Sequence, residues 1–138
     1  MPIKAEIKRF CIWDDHCQYF YPNDPEYFFA MVDMDIGLAG SEGGDIFNLM
    51  VCTPRWFEEN IMTIRPTERS HETFRKNIFG RHYLFVHTFD EAEIEKEVQV
   101  LVDRVKGKDW DEIAPRLSRF FGWEYEDYNE DGGLPQSF

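Results

Sequence analysis

At 138 residues the chain is sized for one domain, and a composition that is 43% hydrophobic and 17% aromatic excludes wholesale disorder. Its formal net charge of −12 argues against nucleic acid and anionic membranes as direct partners, because phosphate contacts need Lys and Arg, and it suits solubility and steering toward basic partners. The odd set Cys11, Cys17 and Cys52 contains no C-x-x-C pair and so no disulfide or zinc framework; with neither a signal-like apolar start nor a run of ~18 apolar residues, a soluble cytoplasmic protein is expected.

"IKAEIKRFCIW" opens with alternation: Ile3, Ala5 and Ile7 on one side, Lys4, Glu6 and Lys8 on the other, a half-buried strand. Turn punctuation at Pro22, Asn23, Asp24 and Pro25 separates it from "FFAMVDMDIG". There Phe28, Ala30, Val32, Met34 and Ile36 share one face, while Asp33 and Asp35 share the other, within reach of Lys4 and Lys8 across the sheet. The glycine-rich "LAGSEGGD" suits a hairpin turn into a third strand, "IFNLMVC". Thr53 is placed to cap a short helix, "PRWFEEN", that starts at Pro54.

Residues 61–81 break the pattern, carrying five basic residues against two acids, a local +3 that leaves −15 on the rest; they read as a long surface loop or a hairpin built on the sheet. "HYLFVHTF" then reads as a fourth strand, central because it is almost continuously apolar. Asp90 with Glu93, and Asp109 with Glu112, are capping boxes. The first helix carries the stripe Ile94, Val98, Leu101, Val102 and Val105 and stops at Gly107; the second carries Trp110, Ile113, Leu117 and Phe120, with Pro115 inside it. Strands grouped ahead of helices predict an α+β fold: a mainly antiparallel sheet of four or five strands with two to three helices on one face.

No catalytic or metal constellation emerges, and no cofactor is implied. His82 and His87, five apart on a strand, face opposite ways; His16, beside Cys17, Asp14 and Asp15, has no ligand spacing to support a metal corner. Ser41 fits neither a nucleophile elbow nor a phosphate loop. Paired carboxylates (Asp14/Asp15, Asp33/Asp35, Glu58/Glu59, Glu126/Asp127) are too common here to be diagnostic. Trp110 reads as core and Trp56 as either core or surface. Trp13 and Trp123 flank acids, which suits a satellite core cluster and also an interface. Residues 122–138 hold five acids and no Lys or Arg; an extended "WEYEDY" would anchor an acidic ridge by its aromatics, with residues 129–138 a flexible acidic tail.

Taken together, "IKAEIKRF", "NDPEYFFAMVDMDIG", "LMVCTPRWFEEN", "FGRHYLFVHTFD" and "WDEIAPRLSRFFGWEYEDY" resemble the immunity protein 8 family of bacterial polymorphic toxin systems, with "VCTPRWFEEN" and "GWEYEDY" the most specific pieces. Departures from the pattern are an insertion at 61–78, Pro115 and the extension after Tyr128. The resemblance implies one immunity-protein-like domain over residues 1–138, made in the cytoplasm, that binds and blocks a cognate toxin domain without being an enzyme. A basic nuclease toxin would complement its charge. Candidate toxin-binding residues are Glu124, Glu126, Asp127 and Tyr128 first, then Asp14, Asp15, Trp56, Glu58 and Glu59. A small ligand-binding or enzymatic α+β domain, and an interaction adaptor with no toxin partner, remain as alternatives.

Overall fold

The computed structural model describes residues 2–14, 20–63 and 80–125. Strands β1 (Ile3–Trp13), β2 (Phe29–Leu38) and β3 (Asp45–Cys52) pair antiparallel in chain order. The turn between β2 and β3 holds Gly40 and Gly43 at φ of 81° and 80°, a conformation glycine enters without steric cost. Short strands finish the sheet: β4 (Tyr83–Phe85) and β6 (Gly122–Trp123) share the free edge of β3, and β5 (Lys106–Gly107) lies beside β1. The order is β4-β3-β2-β1-β5, and β3–β4 is a parallel pair in an otherwise antiparallel sheet. The expected α+β class holds.

Helices α2 (Glu91–Arg104) and α3 (Trp110–Leu117) cover the inner face. Ile94, Val98 and Val102, with Ile113 and Leu117, close over Ala30, Val32, Met34 and Ile36. Asp90 Oδ1 accepts from Glu93 N–H at 3.2 Å and Asp109 Oδ1 from Glu112 N–H at 3.0 Å, so both predicted caps form. Helix α1 (Pro54–Phe57), which continues as a wide turn over Glu58–Met62, lies on the opposite face at one corner, not with the other two helices. Phe57 packs edge-on against Tyr83 and Phe85 with ring centroids 5.0 Å apart in each case.

That corner explains why "HYLFVHTF" misleads. The fourth strand is not central; it is three residues long and lies at the edge. Its apolar run reflects contacts on both faces, with Leu84 against the core and Tyr83 and Phe85 edge-on to Phe57, although Phe85 stays 44% exposed. His82 and His87 lie outside it.

A β-bulge between Ile7 and Arg9 shifts the register of β1 against β2 by one residue. Ile3, Ala5 and Ile7 face the core before it, and Phe10 and Ile12 after it. Arg9 therefore lands on the outer face, and it, not Lys4 or Lys8, neutralises the acidic pair: Nε donates to Asp35 Oδ2 at 3.0 Å and Nη2 to Asp33 Oδ2 at 2.9 Å. Lys8 instead pairs with Glu6 at 2.6 Å.

Two smaller corrections share a cause, in that tertiary partners outcompete local ones. The Thr53 side chain does not cap α1; its Oγ1 accepts from Phe28 N–H at 3.4 Å, tying helix to sheet. Gly107 does not stop α2, which ends at Arg104 so that Lys106 and Gly107 can pair with Lys4 and Ile3. Phe121, not Phe120, continues the Ile113–Leu117 stripe: it keeps the four-residue helical spacing, its N–H donates to Leu117 O at 3.0 Å and it is buried, while Phe120 is 44% exposed.

Candidate partner-binding groove

Of the candidate residues that are described, Glu124 and Trp56 fall at opposite ends of β3. Glu124 lies beside Ile46 at the start of that strand, while Trp56 follows its end at Cys52. Six residues of strand separate them, roughly 20 Å.

At the first end only Gly122–Trp123 is extended; Glu124 and Tyr125 form a turn. Trp123 stacks on Phe47 at 6.2 Å and Tyr125 packs edge-on against Trp123 at 5.7 Å, so Trp123 is fixed to the core and Tyr125 to Trp123. The Glu124 carboxylate accepts from Ile46 N–H at 3.1 Å, so part of its hydrogen-bonding capacity closes the sheet edge. Tyr125 stays 53% exposed. Glu126, Asp127, Tyr128 and the tail at 129–138 lie outside the described residues, as do Asp15 and residues 64–79, the bulk of the expected insertion.

At the other end the secondary candidates come together. Asp14, at the exit of β1, and Trp56, on α1, line one groove of about 440 Å³. The turn between β1 and β2 supplies Asp24 and Tyr27, and β2 supplies Phe29. The hairpin register is what joins them: Phe29 pairs with Cys52, so the helix starting two residues later lies over Phe29. Trp56 stacks on the Phe29 ring at 4.6 Å with 21° between planes. The turn is held from below by Phe20, Phe28 and Phe89, with Phe28 and Phe89 edge-to-face at 5.2 Å, and by a bond from Phe89 N–H to Pro25 O at 2.7 Å.

Tyr27 links turn to helix. Asn60 Nδ2 donates to its hydroxyl at 3.0 Å and to Trp56 O at 2.9 Å. A hydrogen bond to Glu59 is the main reason the Tyr27 phenol titrates above its ordinary range. Arg55 lies over the Tyr27 ring, 5.6 Å from its centroid, and its Nε is 3.7 Å from Glu59 Oε1. Glu59 thus sits behind the groove, against Tyr27 and Arg55, while Glu58, two residues from Trp56, leaves the helix on another side. Asp24, Tyr27 and Phe29 were not singled out from sequence. The available signal was weak: "PNDPEYF" reads as turn punctuation, and its aromatics acquire a use only through hairpin register.

A second cleft, of about 320 Å³, lies between β4, α2 and the end of α3. Arg81, His82 and Arg119 line it with Leu49, Val98 and Phe121. His82 is buried at φ 63°, and its Nε2–H donates to Ser118 O at 2.9 Å, which stitches the two chain segments together. Among the described residues no group of three or more His, Cys, Asp or Glu side chains is arranged to hold a metal ion, and no helix is long and apolar enough to cross a membrane.

The family model described as Immunity protein 8 matches residues 5–128. The chain belongs to the Immunity protein 8 family. No curated protein and no solved structure matches it. The Immunity protein 8 match takes in both ends of β3, and hence the groove and the Trp123 edge alike, and it ends at Tyr128, where the extension expected from sequence begins. Membership in this immunity family implies a toxin as partner.

Proposed function

We propose that this chain is the cytoplasmic immunity protein of a bacterial polymorphic toxin system, and that it neutralises its cognate toxin domain by direct binding, with no catalysis, metal or cofactor of its own. The family match over residues 5–128 carries this reading. The contact surface we favour is the groove of Asp14, Asp24, Tyr27, Phe29 and Trp56 with Glu59 behind it, because aromatic anchors in a concave, acid-rimmed site are what interface hot spots are made of. Asp15 and Glu58 stay further candidates, and the closing segment with Glu124, followed in sequence by Glu126, Asp127 and Tyr128, would form a second, outer contact. The net charge of −12 suits a basic toxin such as a nuclease, with association steered to about 10⁸ M⁻¹s⁻¹ or faster at low salt.

The test is coexpression with the toxin domain encoded beside it. Cells should survive with the intact chain, the purified pair should form a complex that weakens with added salt, and the isolated chain should turn over no nucleic acid or ester. Survival without a complex, or turnover abolished by one substitution at His16, Ser41 or Cys52, counts against it.

A further inference from the structure

We infer that the toxin lies across the outer face of the sheet, with the row Trp13–Met31–Met50 as the apolar centre of the contact and the Trp56 corner and the Glu124 segment at its two ends. The inference rests on the toxin-binding reading above and adds the surface that joins those two contacts, together with the chemistry that surface takes.

Strand register assembles this face. Trp13 pairs with Met31 and Met31 with Met50, and because Ala30 and Val32 point into the core, the three side chains point outward. None of them belongs to the core cluster, and each is only half-buried. The next rows are Cys11–Asp33–Asn48 and Arg9–Asp35–Ile46, with Ile46 45% exposed. Among the described residues the one helix on this face is α1, at the corner of Phe29, Tyr83 and Phe85. A contiguous apolar row that no helix covers marks an interaction surface in a way that single exposed side chains do not. Its composition suits that use: tryptophan carries much of the energy in interface hot spots, and methionine adapts to the shape of a guest. Trp110 and Trp123 donate their indole N–H groups to Asp45, whereas that of Trp13 has no hydrogen-bond partner among the described residues.

Position and area tie the face to its neighbours. Ile46, Asn48 and Met50 run along β3 from the Glu124 segment toward the Trp56 corner, so a partner that touches both ends must cross them. Three strands about 4.8 Å apart, over the eight residues of β3, make a face of roughly 400 Å². That is about half of the ~800 Å² that a stable complex buries on each partner, and the two ends supply the rest.

Charge selects the guest. Asp33 and Asp35 share the single guanidinium of Arg9, which leaves this part of the face one negative charge in excess. A second copy of the chain would bring another −12 against it and be repelled. A toxin surface with an apolar centre and a rim of Lys or Arg meets both the Trp13–Met50 row and the carboxylates beside it.

The experiment titrates the full chain, labelled with ¹³C at its methionine methyl groups, with the toxin domain encoded beside it. The Met31 and Met50 resonances should shift or broaden, while that of Met34, sealed in the core, should move least. Trp13→Ala should weaken toxin affinity about thirtyfold. Ile46→Lys should weaken it about tenfold by setting a cation against a basic guest. Val100→Lys makes the same charge change at a 40% exposed position on α2, across the molecule, and should weaken it less than about threefold. Thermal melting checks folding, and if Trp13→Ala melts early, the Ile46→Lys variant and the methyl shifts carry the test. Tight binding with unmoved Met31 and Met50 resonances, or with equal affinities for Ile46→Lys and Val100→Lys, overturns the inference and leaves the toxin-binding reading in place. No toxin binding by the intact chain removes both. A dimer in sedimentation that Trp13→Ala breaks, with toxin affinity unchanged, assigns the face to a second copy and also overturns the inference.

Discussion

Trp110 and Trp123 donate their indole N–H groups to the same oxygen, Asp45 Oδ2, at 2.8 and 3.0 Å. Three distant parts of the chain meet there: the start of β3, the first residue of α3 and the closing strand β6. Phe47 fills the space between the two indoles, edge-on to Trp110 at 6.3 Å and stacked on Trp123. The carboxylate therefore positions the closing segment that carries Glu124 and Tyr125.

Removing that acceptor should loosen the closing segment first. Asp45→Ala leaves two half-buried donors unsatisfied and should cost about 3 kcal/mol, while Asp45→Asn, which retains an acceptor oxygen, should cost about 1 kcal/mol. Urea unfolding gives the magnitude, and hydrogen exchange at Trp123 shows whether β6 frays before the core. Equal costs for the two variants would mean that the indole bonds contribute little.

On the outer face, Arg9 is expected to act as a neutraliser of two like charges. Its hydrogen bonds, to Asp35 first and Asp33 second, push its pKa up, so it stays charged across the working range and adds no pH dependence of its own. The three side chains are 37–38% exposed, which limits the pair energies. Arg9→Ala should cost about 1 kcal/mol, and added salt should recover part of it by screening Asp33 from Asp35. Arg9→Lys should recover less than half, because an ammonium cannot fork between two carboxylates. A salt-independent loss would contradict this account.

Alkaline pH should destabilise the fold through Cys52. Burial pushes its thiol up to about 12, well above its ordinary range. A raised folded pKa here means that the unfolded chain gives up its proton first. Stability is then level below pH 9 and falls between about 9 and 12, with a slope of up to about 1.4 kcal/mol per pH unit. Tyr83, raised by burial and then by the nearby Cys52, bends the curve the same way. Cys52→Ala should flatten the slope above pH 9 even where its small cavity lowers the plateau. The same burial should keep Cys52 unreactive to thiol reagents until unfolding, while half-buried Cys11 reacts in the folded state.

For the Glu124 edge, stability and binding should separate. Glu124→Gln keeps an acceptor for Ile46 N–H and should be nearly neutral in melting, whereas Glu124→Ala should cost about 1 kcal/mol. Combined with Glu126→Ala and Asp127→Ala, charge removal should slow toxin association and flatten the salt slope, with dissociation little changed. Stopped-flow mixing across a salt series measures both rates. A faster dissociation rate would move this edge from the rim to the centre of the contact.

Much of this could be read residue by residue. The inward set from Phe28 to Ile36, the stripe Ile94–Val98–Val102 and the caps at Asp90 and Asp109 follow from periods and pairings within a few residues, and packing left them in place. Where reading failed, the deciding partner lay far along the chain. One extra residue in β1 moved Arg9 opposite Asp35, and contact with Phe57 gave an edge strand the look of a central one. The candidate surface shows the same division. Asp14, Trp56 and Glu59 were legible as acids and an aromatic, but nothing in their spacing joined them.

By itself, then, the sequence determined the α+β class, most of the faces that are buried, the acidic character and the likeness to an immunity family, because each depends on composition, local order or motif. Tertiary structure decided that Phe29 lies under Trp56, that Asp14 and Trp56 share a groove, and that Glu124 is half committed to the backbone of β3. Those outcomes depend on strand register and helix placement, which are set by the free energy of the whole core and not by any short stretch of chain.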